Sequence, residues 1–243
     1  IIMMKEGMNF VCFLLLVCLF ISCSSGRKVT ASQVSFADNI VVAHRGAWKK
    51  NNLPENSIAS LKEAIRLKCT GAEFDVRMTA DDSLIINHDR DYNKMRIEQT
   101  TYAELEKFKL SNGEKLPTLR EYILAGIENN TATRLVCEIK PSASKERGKI
   151  IAEKVYHLVN ELKAQSKVVY ISFDYDILKK IVSLNPTVGT QYVEANKSPG
   201  EIKADGITGI DYILTAIKKH PEWIAEAKAN NITLNAWTVN NAE

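Results

Sequence analysis

Short apolar runs alternate with longer amphipathic stretches along most of this chain, and no other feature of the sequence constrains the fold as strongly. Seven runs have the character of strands, and they begin at Ile40, Ala72, Arg134, Val168, Val188, Asp211 and Ile232. Segments with helical periodicity lie at 57–68, 145–164, 177–184 and 221–230. Parallel strands need long crossover connections, which helices usually supply. The alternation therefore predicts an α/β fold, a TIM-type (β/α)8 barrel truncated before its eighth strand.

The interval between Asp75 and His88 departs from this alternation. Its 13 positions are too few for a helical crossover between parallel strands. The segment 79–83 is rich in turn-forming residues, so 76–79 and 84–87 are expected to form a hairpin. A hairpin would return His88 to the neighbourhood of Asp75. Residues 77–116 are thus predicted to be an inserted hairpin and loop within a domain that spans 40–243.

The composition is that of an ordinary globular domain and excludes one class of partner. The chain of 243 residues is 45% hydrophobic and 25% charged, with a formal net charge of +3. Lysine and arginine do not form runs interleaved with aromatic residues, so no nucleic-acid partner is predicted. A phosphate-bearing ligand would instead be bound by a few individually placed cations.

The N-terminal region resembles the signal peptide of a bacterial lipoprotein. Its apolar run at 10–21 is shorter than the ~20 residues of a membrane-spanning helix. Ile21-Ser22-Cys23 resembles a lipobox, in which Cys23 is acylated and becomes the N-terminus; an uncleaved anchor helix is the alternative. We expect residues 1–23 to be the signal peptide and the polar stretch 24–39 a tether. The domain would then be exported and lipid-anchored to a bacterial membrane, facing the periplasm.

Two further cysteines lie in the predicted domain. Cys69 and Cys137 would be able to pair in an oxidising compartment. Each lies in an apolar context beside a predicted strand, where buried free thiols are the commoner outcome. We predict that they do not form a disulfide.

Acidic residues occupy alternate positions of two predicted strands. Glu73 and Asp75 share one face of the second strand, because side chains alternate along a strand. Glu138 and Lys140 share one face of the next parallel strand. Neighbouring carboxylates repel each other unless a cation neutralises them, which favours a hard divalent ion. An internal salt bridge between Glu138 and Lys140 is the simpler alternative.

Polar residues also follow the first predicted strand directly. His44 and Arg45 lie where this strand runs into a loop, and Gly46 follows them. The arginine guanidinium offers a fixed fork of donors to phosphate oxygens. Downstream, Asn56 or Ser57 is suited to cap the helix that follows.

Seven motifs occur in order along the chain: His44-Arg45-Gly46, Pro54-Glu55-Asn56-Ser57, Glu73-Phe74-Asp75-Val76, His88-Asp89, Glu138-Ile139-Lys140, Ser172-Phe173 and Trp237-Thr238-Val239-Asn240. Together they resemble the glycerophosphodiester phosphodiesterases. The resemblance extends over residues 41–240. Any single motif is weak, but seven in order at compatible spacing are hard to attribute to coincidence.

This resemblance implies a metal-dependent hydrolysis of glycerophosphodiesters to glycerol phosphate and an alcohol. It assigns one divalent metal ion, Ca²⁺ or Mg²⁺, to Glu73, Asp75 and Glu138. It makes His44 and His88 a general acid and base, since imidazole exchanges a proton near neutral pH.

The resemblance also implies three contacts around the substrate. Arg45 and Lys140 would bind the phosphate, and Trp237 would pack against the glycerol part. Glu55 is expected to orient Arg45 or His44, although an acid is also favourable at a helix N-terminus. Two alternatives remain open: a non-catalytic barrel that binds phosphodiesters, and a related enzyme that acts on phosphoinositides.

Overall fold

The structure is a computed structural model that describes residues 38–240. The predicted signal peptide, the lipidated Cys23 and residues 24–37 of the tether lie outside these described residues. The strands are β1 (Val42–Ala43), β2 (Gly71–Met78), β3 (Leu84–Ile86), β4 (Asp91–Tyr92), β5 (Met95–Arg96), β6 (Arg134–Ile139), β7 (Val168–Ser172), β8 (Thr190–Tyr192), β9 (Gly209–Ile213) and β10 (Thr233–Trp237). The α-helices are α1 (Ile58–Arg66), α2 (Tyr102–Leu105), α3 (Leu119–Ile127), α4 (Lys145–Glu161), α5 (Tyr175–Leu184), α6 (Pro199–Ala204), α7 (Leu214–Lys219) and α8 (Glu222–Ala229).

The main sheet has the strand order of a TIM-type barrel. Strands β1, β2, β6, β7, β8, β9 and β10 lie side by side in this order, and each neighbouring pair is parallel. Between residues 38 and 240 no eighth parallel strand joins them. This arrangement confirms the predicted α/β fold with seven strands of a (β/α)8 barrel.

The second strand shows how the sheet separates its two faces. Phe74 and Val76 point toward the helices and belong to the large apolar core between sheet and helices. Val136, on the neighbouring strand β6, belongs instead to a smaller apolar cluster with Ile171 and Val193. The alternation along β2 therefore turns the carboxylates of Glu73 and Asp75 toward the concave, inner side of the sheet.

The predicted hairpin is present. Strand β2 continues past the acidic residues to Met78, turns at 79–83 and pairs antiparallel with β3. Asp75 O accepts a hydrogen bond from Asn87 N at 3.0 Å, and this contact brings His88 back beside the acidic strand. The insertion beyond it contains the β4–β5 hairpin, a 3₁₀ turn (Ile97–Gln99) and α2.

Several sequence-based boundaries differ from the structure, and four helices were missed. Helix α5 begins at Tyr175 rather than 177, because the Asp174 side chain caps it by accepting from Asp176 N. The predicted strand from Ile40 is ordered as β only over Val42–Ala43. The missed helices are α2, α3, α6 and α7. The first three carry capping boxes, at Thr101/Glu104, Thr118/Glu121 and Ser198/Glu201, and this pattern is readable in the sequence.

The prediction for the two cysteines is also decided. Cys69 and Cys137 are both buried free thiols, as predicted. Within residues 38–240, no helix is both long and apolar enough to cross a bilayer.

Candidate active site

Three carboxylates from β2 and β6 meet on the inner side of the sheet. The register of these parallel strands places Asp75 beside Glu138. One oxygen from each of Glu73, Asp75 and Glu138 lies within 4.8 Å of the others, and all three residues are buried. We call this group the acidic centre. The sequence predicted both its members and their common face.

Lys140 is the main positive charge inside the acidic centre. Its Nζ lies 2.7 Å from Glu138 Oε1 and 3.2 Å from Asp75 Oδ1. The internal salt bridge between Glu138 and Lys140, considered as an alternative, therefore exists, but Glu73 is not part of it. Glu73 Oε1 is buried and accepts no hydrogen bond from any residue that the structure describes. Burial raises the pKa of Glu73 well above its ordinary value, and Asp75 and Glu138 raise it further.

The net charge of the groups around the acidic centre favours binding of a divalent cation. Its three carboxylates and that of Glu55 carry four negative charges when ionised, against one positive charge each on Lys140 and Arg45. Negative charge remains in excess even when Arg77, which acts on Glu138 from further along β2, is included. A buried carboxylate oxygen without a partner and an all-oxygen donor set fit a hard ion such as Ca²⁺ or Mg²⁺.

The loop after β1 wraps around one side of the acidic centre. The backbone N–H of Arg45 donates to Glu73 Oε2 at 2.8 Å. The Arg45 guanidinium donates from Nη1 to both carboxylate oxygens of Glu55 at 3.0 Å, while its Nε lies 3.8 Å from Asp75 Oδ2. Glu55 therefore contacts Arg45, one of the two residues that it was expected to orient.

Asn56 also has a role that differs from simple helix capping. Ser57 is the cap of α1, since its side chain accepts from Ser60 N. Asn56 is instead buried and donates from Nδ2 to Asp75 Oδ2 at 2.8 Å. It also accepts from Asp75 N at 3.2 Å. These two bonds orient one carboxylate of the acidic centre, and the Asn in the Pro54–Ser57 motif was the sequence signal for it.

Gly46 closes this loop in a conformation that a larger residue does not adopt easily. Its φ is +79°, and a Cβ at this position would lie 2.7 Å from the carbonyl carbon of Ser60.

Gly46→Ala is expected to cost about 2–3 kcal/mol of stability, because it combines backbone strain with a clash against backbone atoms. Urea unfolding would measure this loss. Gly113→Ala is the matched control, since its φ is also positive but nothing lies within 4 Å of the added carbon; an equal loss there would contradict the steric part of the argument.

His44 lies at the rim of the acidic centre. Its Nε2 is 3.9 Å from Glu73 Oε2, and its side chain is partly open to solvent. Burial lowers the pKa of His44, and the neighbouring Arg45 lowers it further. The structure thus brings His44 together with the carboxylates, as the sequence predicted.

His88 reaches the same region from the β2–β3 hairpin. Its Nδ1 lies 2.8 Å from Asp89 Oδ1. Its backbone oxygen accepts two hydrogen bonds from the Arg77 guanidinium, at 3.0 Å from Nε and 2.7 Å from Nη2. Arg77 is two residues beyond Asp75, so the alternation of side chains along β2 places it on the same face. The sequence therefore contained a signal for Arg77, although Arg77 was not among the predicted site residues.

Aromatic side chains border the acidic centre on the side of the later strands. The rings of Phe173 and Trp237 pack edge to face with centroids 5.8 Å apart. Lys140 Nζ lies 5.7 Å from the centre of the Phe173 ring. Trp237 Nε1 donates to Asp211 O at 2.9 Å, so the indole is fixed in a half-buried position. Trp237 is thus near the site, joined to it through Phe173.

Solved structures similar to this chain include phosphodiesterases. The chain is similar to a glycerophosphodiester phosphodiesterase from Parabacteroides distasonis, with 37% identity and a TM-score of 0.81 over 85% of this chain and 87% of that one. A phosphodiesterase from Oleispira antarctica, at 21% identity, shares the fold with a TM-score of 0.69 over 84% of this chain and 85% of that one. The protein is accordingly a phosphoric diester hydrolase on a TIM-type barrel.

Sequence comparison gives the family. Residues 44–243 match the sequence model of the glycerophosphoryl diester phosphodiesterase family. A glycerophosphodiester phosphodiesterase from Caldanaerobacter subterraneus subsp. tengcongensis is 28% identical over 221 residues, which are 84% of this chain and 87% of that protein. The chain belongs to the glycerophosphoryl diester phosphodiesterase family, as the seven motifs predicted.

Proposed function

We propose that this protein hydrolyses glycerophosphodiesters to glycerol phosphate and an alcohol, with one divalent cation, Ca²⁺ or Mg²⁺, held by Glu73, Asp75 and Glu138. The observation that carries the proposal is the acidic centre, whose three buried carboxylates lie within 4.8 Å of one another beside Lys140. Such a cation, when bound, polarises the phosphodiester and offsets the charge that develops on its oxygens.

Family membership supports this substrate class. The relatives described above are glycerophosphodiester phosphodiesterases, and the Oleispira antarctica phosphodiesterase was solved in complex with the product sn-glycerol-3-phosphate. The open face of the acidic centre also carries the groups that a phosphodiester needs. Lys140 and Arg45 are the cations nearest to it and would bind the phosphate oxygens.

The two histidines would move the protons. One imidazole accepts the proton of a glycerol hydroxyl while the hydroxyl oxygen attacks phosphorus. The other imidazole donates a proton to the departing alcohol as the P–O bond to that alcohol breaks. Water then opens the resulting cyclic phosphate, with the two roles reversed. His44 and His88 are suited to this exchange because both border the acidic centre from separate loops. Trp237, together with Phe173, would pack on the glycerol part.

Hydrolysis by the purified protein tests the proposal directly. Glycerophosphocholine, glycerophosphoethanolamine and glycerophosphoinositol are assayed beside phosphatidylinositol, each with Ca²⁺, with Mg²⁺ and with chelator. We expect turnover of the deacylated diesters that is lost with chelator and restored by adding back the ion. Turnover of phosphatidylinositol alone would favour the phosphoinositide enzyme. Binding of the diesters without turnover under any condition would favour the non-catalytic barrel.

Arg77 is proposed as a positioning residue for His88. Arg77→Met removes both hydrogen bonds to the His88 backbone oxygen. We expect kcat to fall about tenfold with little change in KM, because the loop loses two bonds to a charged donor and the imidazole is held less firmly. Arg147→Met is the control, since Arg147 donates in the same way to Met78 O and Thr79 O at the far end of β2. Equal loss of kcat in the two variants would contradict a specific role for Arg77.

The cellular location remains a separate proposal, based on the N-terminal sequence alone. We propose that residues 1–23 direct export and that a lipid on Cys23 attaches the domain to a bacterial membrane, facing the periplasm. Cys23→Ser is expected to move the protein out of the membrane fraction. Retention of the variant in that fraction would show that lipid on Cys23 is not the anchor.

A further inference from the structure

A second charged cleft lies beside the acidic centre. It has a volume of about 40 Å³ and is lined by Arg77, Arg90, Arg96, Glu98 and the loop 141–143. We call it the arginine cleft. None of its lining residues belongs to the acidic centre or is one of the two histidines. The motifs that identify the family do not include them either.

The cleft has more positive than negative charge. Three arginines line it and Glu98 is the one acid among its lining residues. Both oxygens of Glu98 already accept hydrogen bonds, from Ser142 Oγ at 2.8 Å and from Ala143 N at 3.3 Å. Glu98 thus holds the loop 141–143 in place as well as opposing the arginines.

The three arginines differ in their hydrogen-bond and ion-pair partners. Arg96 Nε donates to Asp91 Oδ1 at 2.6 Å, and Arg77 donates to the His88 backbone oxygen. The guanidinium of Arg90 has no hydrogen-bond or ion-pair partner among residues 38–240. Arg77 and Arg90 line the same small cleft, so their like charges repel each other there. An anion in the cleft would relieve this repulsion.

The residues that line the cleft follow the catalytic groups closely along the chain. Arg77 follows Asp75 by two residues on the same strand face, and Arg90 follows His88 by two residues. The loop 141–143 begins immediately after Lys140. A substituent of a phosphodiester at the acidic centre that extended past His88 would therefore approach these arginines.

We propose that the arginine cleft is a subsite for a second phosphate group, carried by the alcohol part of the glycerophosphodiester. This inference rests on the proposed function. Arginine suits such a group because its planar fork donates two parallel hydrogen bonds to phosphate oxygens. Substrates whose alcohol is phosphorylated would then be preferred over those with a neutral or cationic alcohol.

The test uses two substrates that differ only in this phosphate, glycerophosphoinositol and glycerophosphoinositol 4-phosphate. The ratio of kcat/KM for the phosphorylated substrate to that for the other is measured in the wild type and in Arg90→Gln. We expect the ratio to fall about tenfold in Arg90→Gln, the usual effect of losing one charge-assisted contact. Arg90→Lys keeps the positive charge, and its ratio is expected to lie between those of Arg90→Gln and the wild type. Arg66→Gln, which removes a positive charge from α1, should leave the ratio as it is in the wild type.

The outcomes separate the two proposals. If both substrates are hydrolysed and Arg90→Gln does not change the ratio, the subsite is wrong and the proposed function stands. If neither these two substrates nor glycerophosphocholine and glycerophosphoethanolamine are hydrolysed, the proposed function fails, and calorimetric titration with the same pair still decides the subsite. Tighter binding of the phosphorylated compound by the wild type than by Arg90→Gln supports it, and equal binding by the two proteins overturns it.

Discussion

Replacing Glu73 with glutamine is expected to raise the stability of the metal-free protein while it lowers kcat at least about a thousandfold. The two effects have opposite signs because the same charge that destabilises the empty centre is needed for the cation. Glu73 Oε1 is buried without a partner, and two other carboxylates lie within 4.8 Å. Glutamine removes the charge and keeps an oxygen that accepts from Arg45 N. A gain of about 1–2 kcal/mol is expected, in the range for removing a poorly compensated buried charge.

The measurement is thermal or urea unfolding in chelator, followed by the same scan with Ca²⁺ or Mg²⁺. Added cation should raise the Tm of the wild type, since a ligand that binds the native state stabilises it. The rise should be much smaller in Glu73→Gln. Glu63→Gln on α1, where Glu63 pairs with Arg66 at the surface, is the control and should change neither kcat nor the response to cation. A Glu73→Gln protein that is less stable than the wild type in chelator would contradict the account of the acidic centre.

Loss of either site histidine is expected to lower kcat by about 10²–10⁴, the range for removing a general acid or base. Glutamine at 44 or 88 keeps a polar side chain and cannot exchange a proton at neutral pH. The double variant should be little slower than the slower single variant, because groups that act in one step are not additive. Steady-state kinetics on a glycerophosphodiester in saturating cation measures the effect.

The chain provides its own control for this pair. His157 lies on the exposed side of α4, with Nε2 3.8 Å from Glu153 in the preceding turn. His157→Gln should therefore retain the activity of the wild type. Unfolding scans would show whether the site variants remain folded. Activity of His44→Gln or His88→Gln within a few-fold of the wild type would remove that residue from the proposed mechanism.

Much of the site was predictable because a strand converts sequence spacing directly into a shared face. Glu73 and Asp75, and likewise Glu138 and Lys140, are two positions apart, and both pairs point to the inner side of the sheet as expected. The short interval before His88 predicted a hairpin for a similar local reason. The missed helices α3 and α6 belong to the same category, since their capping boxes are local patterns that the sequence displays.

Other features depend on contacts between segments that are far apart along the chain. The sequence placed Asn56 at a helix start, whereas the fold gives it two hydrogen bonds to Asp75. Nothing in the segment around Glu98 indicates that it binds the loop after Lys140, 44 residues further on. Spacing along one strand is not informative about such pairs, because they form only when separate loops meet above the sheet.

The sequence by itself determined the class of fold, the family and the face on which the acidic residues lie. These depend on strand periodicity and on short motifs, which are local properties of the chain. Only the tertiary structure decided how the charges are balanced: Lys140 between Asp75 and Glu138, Glu73 left with an unpaired oxygen, and three arginines grouped beside His88. Charge balance is set by distances of a few ångströms between side chains from different elements, and those distances exist only in the folded chain.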